Sequence, residues 1–321
     1  ARHGPRTEGA CGVFDPRDYK DVIRQLADFS GIDHLPNIPI MVTGASAAGG
    51  AAFRTAEAAP ELTVAAAPVI IGLAGWDTDS EAVLQVPILH VYGSRDGVHL
   101  RDALARYPKV RARGALWTMA TMWNVYHRQH KSHALIYPYF WEMMRVRIPK
   151  GADSTKGPVE LKPLDEKDGW IGRLDTWETN YPQIVPVAEY DGKPENAVWL
   201  PTEKVARIWQ SFVSHSPRTV IQFPQFYGHK TFGGGFPEQW KNSTLEANKP
   251  FEVLASGPLG DDLNVEYYAG TRKLKKLREG NYCVQLEGLE PGLHVIYAVT
   301  TVNGEKEISH PVLVPFYERA K

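Results

Sequence analysis

Cysteine is scarce in this sequence, with two among 321 residues, Cys11 and Cys283. Thiols so far apart read as unpaired, and a disulfide-stapled miniature fold is excluded. Their scarcity assigns no compartment, because large extracellular domains need no covalent staples. Net charge is almost absent: 36 Lys and Arg face 37 Asp and Glu, a formal charge of -1. Neutralising phosphates calls for a clustered cationic excess, so nucleic acid is not an expected partner. Long hydrophobic runs are missing as well. The longest, residues 62–75, is interrupted by Pro68 and falls short of the roughly 20 residues that cross a bilayer, so no membrane span is expected. Residues 1–6 carry no signal peptide's apolar stretch, and a cleaved leader would leave no trace.

What remains is an ordinary globular composition, 43% apolar and 23% charged, long enough for two or three domains. Residues 18–29 (DYKDVIRQLADF) place Val22, Ile23, Leu26 and Phe29 at the spacing of a half-buried helix, which Gly31 ends. Residues 38–43 read as a short buried strand, 49–59 as a helix of small residues, and 63–73 and 86–92 as further apolar strands. Such alternation implies a parallel sheet with right-handed crossovers. The stretch 149–250 is rich in Pro and Gly and holds five of the nine tryptophans, among them Trp170, Trp177 and Trp240. Large apolar rings do not belong in a free linker, so it reads as a connecting subdomain, with one helix over 201–213. Beyond residue 250, apolar residues alternate at period two through Val265, Tyr267, Val284, Leu286, Val295 and Tyr297. Turn signals such as Ala269-Gly270 and Asn303-Gly304 separate them, the pattern of a small β-sandwich.

The chemistry concentrates at three strand ends. In residues 38–50 (IPIMVTGASAAGG) an apolar strand runs into Ser46, with Gly44 two residues before it and Ala48 two after. A nucleophilic serine on a sharp strand-to-helix turn needs small neighbours at those offsets, because the backbone doubles back there. The same turn can also be a tight helix start. Residues 86–97 (VPILHVYGSRDG) end a buried strand in a turn bearing Asp96, where a carboxylate could orient a histidine or cap its own backbone. After the stretch 117–125 comes His127. Ser46, Asp96 and His127 follow one another in the chain order of nucleophile, acid and base.

These residues resemble the α/β-hydrolase superfamily, and within it bacterial esterases of the dienelactone-hydrolase and polyhydroxybutyrate-depolymerase type. The resemblance covers roughly the first half of the chain and implies an α/β fold with a partial doubly wound parallel sheet there; the Trp-rich subdomain and an all-β sandwich of immunoglobulin-like type are expected to follow. The expected boundaries are 1–148, 149–248 and 249–318. It implies that Ser46 attacks an ester carbonyl, His127 moves the proton, Asp96 holds His127, and the Ala47 amide donates to the oxyanion. Trp76 is a possible pocket residue. Ala48 stands where the family usually has Gly. Only some forty residues precede Ser46, where the family places several strands. The sheet is therefore expected to lack its first strands and one oxyanion donor, and an upstream segment or second chain would complete it.

Other residues compete for attention. His127, His130 and His133 are spaced three apart with no Asp or Glu between them, unlike helical zinc pairs, so no metal is expected and His130 is the reserve base. No cofactor is expected either. The basic run 272–278 alternates with Leu274 and Leu277 and reads as a solvated strand face. Gly233-Gly234-Gly235 lacks the Lys-Ser/Thr of a phosphate loop. Tyr267-Tyr268-Ala269-Gly270, the Leu-x-Pro-Gly-x-His turn at 289–294 and Ser-x-Pro-Val at 309–312 resemble bacterial immunoglobulin-like domains of secreted enzymes and adhesins. That resemblance implies an extracellular or cell-surface setting. The sequence thus points to a serine esterase acting on an extracellular, possibly polymeric, ester, with a non-catalytic binding or adhesion protein as the alternative.

Overall fold

A computed structural model describes residues 18–73, 80–129, 131–224, 245–257, 263–280 and 283–318. The chain divides into two compact units. The first takes its described residues from Ala1–Arg128, Tyr139–Gly169 and Asp191–Pro201, the second from Gln129–Pro138, Trp170–Tyr190 and Thr202–Lys321.

The first unit opens with α1 (Tyr19–Ser30), closed by Gly31, whose amide returns to the Ala27 carbonyl. The helix forms where the apolar spacing predicts it, but its stripe is not covered. Ala27 is its buried residue, whereas Leu26 is 47% and Phe29 91% exposed. Then follow β1 (Ile40–Ala45), α2 (Ala47–Ala58), β2 (Thr63–Val69), α3 (Glu81–Leu84), β3 (Ile88–Gly93), α4 (Gly97–Ala112) and β4 (Trp117–Met122). The four strands form one parallel sheet in sequential order. β2, β3 and β4 are buried along their whole length, which is why they read as continuous apolar runs.

Two buried arginines tie loops to this sheet. Arg147, at the end of α5 (His133–Arg147), donates from Nη1 to the carbonyls of Thr63 at 2.7 Å and Val64 at 2.9 Å. Arg111, in α4, donates to the carbonyls of Ala115 and Ala197 and pairs with Glu166 Oε1 at 2.6 Å. β5 (Trp170–Arg173) and β6 (Ile184–Pro186) fall in the second unit, and β7 (Ala197–Leu200) returns to the first. Trp199 there is buried, and its Nε1–H donates to the Glu166 carbonyl at 3.1 Å.

The second unit holds α6 (Glu203–Phe212), which Thr202 caps by accepting from the Val205 amide at 3.3 Å. Pro201 thus precedes the cap instead of opening the helix. β8 (Val220–Gln222), β9 (Leu245–Glu246), β10 (Phe251–Ser256), β11 (Asn264–Ala269), β12 (Arg272–Lys273), β13 (Lys276–Glu279), β14 (Val284–Leu286), β15 (Gly292–Val302), β16 (Glu305–Ile308) and β17 (Val312–Tyr317) complete it. One sheet runs β13-β14-β10-β8, the other β12-β11-β15-β17-β9 with β16 beside β15. Phe251, Val253, Leu286, Ile296, Val314 and Phe316 belong to the buried core between them. At the β15–β16 turn, Asn303 and Gly304 both take positive φ, as a two-residue hairpin requires. The basic run is paired on its surface: Arg272 with Glu287 at 3.1 Å, Lys276 with Glu279 at 3.1 Å, and Lys273 with Glu266.

This architecture corrects the fold class. The described residues form four sheets, of which one is the parallel sheet, and seventeen strands stand against six α-helices. The parallel sheet keeps its sequential order, without the reversal that doubly wound sheets require. The reason lies in the chain itself. Strand–helix alternation stops at β4, and the residues beyond it supply short strands that pair mostly as antiparallel neighbours. The chain is therefore a mainly β protein carrying a small parallel layer. Among the described residues, no helix is long and apolar enough to cross a membrane.

Candidate active site

The carboxyl ends of the parallel strands gather the candidate residues. Ser46 directly follows β1 and precedes α2, with φ 55° and ψ -124°. Positive φ at a non-glycine residue is strained, and here the Ser46 amide is fastened to the Val69 carbonyl at 2.9 Å. Its hydroxyl makes no capping bond to α2. The residue is half-buried, and without that bond its side chain does not serve as a helix cap. The reversal also explains Gly44: a Cβ there would lie 2.3 Å from the Ala48 carbonyl oxygen. Ala47, exposed, is the first residue of α2, and first-turn amides have no partner within their own helix.

Asp96 stands at the start of α4 and, like Ser46, makes no capping bond. Its Oδ2 accepts instead from Nδ1–H of His127 at 2.8 Å. The Asp96 side chain is 13% exposed and that of His127 is 42%. Binding through Nδ1–H fixes the tautomer and leaves the Nε2 lone pair of His127 available as a base.

The loops that carry these two residues are fastened together. Arg95 N–H donates to the Val125 carbonyl at 2.9 Å, and Ser94 N–H to that of Met122 at 3.0 Å. Asn124 N–H donates to Ser94 Oγ at 2.8 Å, while Arg95 Nη2 donates to Asn124 Oδ1 at 3.2 Å. The Arg95 guanidinium also lies over the Tyr126 ring, 5.4 Å from its centroid. Gly93 allows this approach, because a Cβ there would meet the Val125 carbonyl oxygen at 2.4 Å.

The structure thus joins Asp96 to His127 and sets Ser46 on the same rim of the sheet, two strands from Asp96. Among the described residues, no hydrogen bond joins Ser46 Oγ to His127. His130 and Trp76, the reserve base and possible pocket residue, lie outside the described residues. One neighbour escaped the sequence reading. His99, in the first turn of α4, accepts from the Gly72 amide at Nδ1 across 3.1 Å, and its ring centroid lies 5.3 Å from that of His127. Its signal in the sequence was its place three residues after Asp96.

No protein-family model matches the chain, and no curated protein matches it. Among solved structures, fibronectin(III)-like modules of Clostridium thermocellum CbhA are 21% identical, covering 23% of this chain and 84% of that one, with a TM-score of 0.21. β-Glucuronidase 3 of Bacteroides uniformis is 11% identical over 96% of this chain and 35% of its own, with a TM-score of 0.21. A Cellulomonas fimi endo-β-1,4-mannanase double mutant is 11% identical over 92% of this chain and 70% of that chain, with a TM-score of 0.18. Likenesses this weak carry no argument about fold or chemistry.

Proposed function

We propose that the protein is a serine hydrolase that cleaves carboxylic esters through an acyl-enzyme. The observation that carries this reading is the Asp96–His127 hydrogen bond, formed on the sheet rim that also bears Ser46 in a strained turn. In the proposed reaction, His127 Nε2 takes the Ser46 proton as Oγ attacks the ester carbonyl. The oxyanion draws on the Ala47 amide at the amino end of α2. Collapse of the tetrahedral intermediate breaks the C–O bond, and the alcohol leaves with the proton held by His127. Water then repeats the sequence to release the acid and restore Ser46. Asp96 keeps His127 in the required tautomer and stabilises the imidazolium. The Ser46–His127 bond forms when substrate fills the site, since such bonds are often long in unliganded enzymes. The substrate we infer is an extracellular ester, polymeric in form, and the protein a secreted or surface one.

The second reading, a non-catalytic binding or adhesion protein, is favoured by the missing Ser46–His127 bond. A fluorophosphonate probe separates the two. Labelling that disappears in Ser46→Ala, with aryl-acetate turnover lost in parallel, supports the hydrolase; folded protein that neither labels nor turns over supports the binder.

A further inference from the structure

Asp96, His99 and His127 each offer a metal-ligand atom, and the three atoms lie within 4.8 Å of one another. They come from two adjacent strand ends: Asp96 and His99 from the β3–α4 junction, His127 from the segment after β4. The fastening of those two loops through Arg95, Ser94 and Asn124 holds them in place. Two imidazoles and one carboxylate form a donor set suited to zinc and its borderline-soft neighbours, and too poor in oxygen for calcium or magnesium. Asp96 and His99 are half-buried while His127 is exposed, so solvent can supply the remaining coordination positions.

We propose that this cluster binds a zinc-class divalent ion, and that the bound ion acts as a reversible brake on the esterase. The inhibitory half rests on the hydrolase reading above; the binding half does not. The ion needs lone pairs that the hydrolase uses otherwise. At His127 the nitrogen facing Asp96 is Nδ1, so an ion shared with Asp96 takes the Nδ1 pair and leaves the ring proton on Nε2, where the Ser46 proton would have to go; ion and proton transfer therefore exclude each other. At His99 it displaces the Gly72 N–H···Nδ1 bond, either by taking Nδ1 directly or by forcing the other tautomer. Losing that bond weakens the ion's hold by up to roughly tenfold, which keeps the brake releasable.

The test uses the whole 321-residue chain stripped of metal with a chelator. Cobalt(II) serves as the probe, because visible absorption reports the low-coordinate geometry of a built site. The expected result is a stoichiometric low-coordinate spectrum that zinc displaces. His99→Gln weakens cobalt binding by more than about tenfold. Zinc inhibition of aryl-acetate turnover weakens by the same factor, with each variant normalised to its own metal-free rate. Should His99→Gln fail to fold, the cobalt titration of Asp96→Asn and His127→Gln carries the test. A cobalt spectrum no different from the aquo ion overturns the proposal, as does undiminished binding in folded His99→Gln. Protein that binds cobalt yet shows no turnover without metal keeps the site and refutes the hydrolase reading. Turnover that zinc leaves untouched at saturating occupancy overturns the brake.

Discussion

His127 Nδ1 and Asp96 Oδ2 stand 2.8 Å apart although 31 positions separate the residues. Neither side chain is diverted by a local task. Asp96 opens α4 without capping it, and among the described residues its carboxylate accepts from the imidazole.

On the proposed hydrolase reading, Asp96→Asn acts on turnover. An amide in place of the carboxylate favours the wrong His127 tautomer, and kcat on an aryl acetate falls by about three to four orders of magnitude. KM changes little. Chemical unfolding should shift by no more than about 1 kcal/mol, because the partly buried carboxylate caps no helix and the asparagine oxygen can still accept from His127. Steady-state kinetics beside a urea curve check both halves, and an undiminished kcat removes Asp96 from the mechanism.

The strained backbone at Ser46 yields a stability test independent of substrate. At φ 55°, alanine keeps the strain whereas glycine relieves it. Ser46→Gly is expected to be about 1 kcal/mol more stable than Ser46→Ala, with both unlabelled by a fluorophosphonate. Equal unfolding midpoints in the two variants would mean that the turn is not strained.

The sequence made the strand ends legible because β2, β3 and β4 are buried on both faces and read as unbroken apolar runs. Ser46 was visible as the polar residue closing β1, and Asp96 and His127 as polar residues in the segments that follow β3 and β4. The fastening of their loops was not, because Ser94, Arg95 and Asn124 match no motif and act through backbone carbonyls and one another's side chains. His99 was hidden for a similar reason, since its partner is the Gly72 amide. The fold class misled because the strand–helix alternation of the first 148 residues was taken to set the class of the chain, while most of its strands lie beyond them, are short and pair antiparallel. Phe29 shows the limit of periodicity: spacing marks a face of a helix, not what covers it.

Arg111 was equally invisible, a charged residue whose side chain is fully buried. Its Nη2 pairs with Glu166 at 2.6 Å, and Glu166 itself is partly exposed. Glu166→Ala leaves the guanidinium with carbonyl partners but no counter-charge. The expected cost is about 2 kcal/mol, below that of a wholly buried pair because water reaches the vacated site. Glu166→Gln keeps an acceptor and should cost about half as much. Urea midpoints of the two variants test the order, and a Gln variant weaker than Ala contradicts it.

Folding stability should fall on mild acidification through His90. This residue of β3 is 1% exposed, stacks on Phe53 at 6.3 Å and meets Trp117 edge-on at 5.6 Å. Neither ring nitrogen has a hydrogen-bond partner among the described residues. Burial lowers its pKa from 6.5 to about 3. Between those values the unfolded chain binds a proton that the folded chain refuses. Stability is thus fully present above about pH 7 and is lost as pH drops through 6.5 toward 3. At pH 5 the loss from this one group is about 2 kcal/mol. Burial also lowers His133 and His294, so wild type and His90→Phe must be compared at each pH. Glu307 stays out of the comparison between pH 7.5 and pH 5. Burial pushes its carboxyl up, but hydrogen bonds from Thr219 and Arg218 together hold it below the ordinary carboxylate value, so its loss comes at lower pH. Urea midpoints at pH 7.5 and pH 5 should converge for His90→Phe by about that 2 kcal/mol relative to wild type. Parallel losses in the two proteins would show that His90 protonates as readily folded as unfolded.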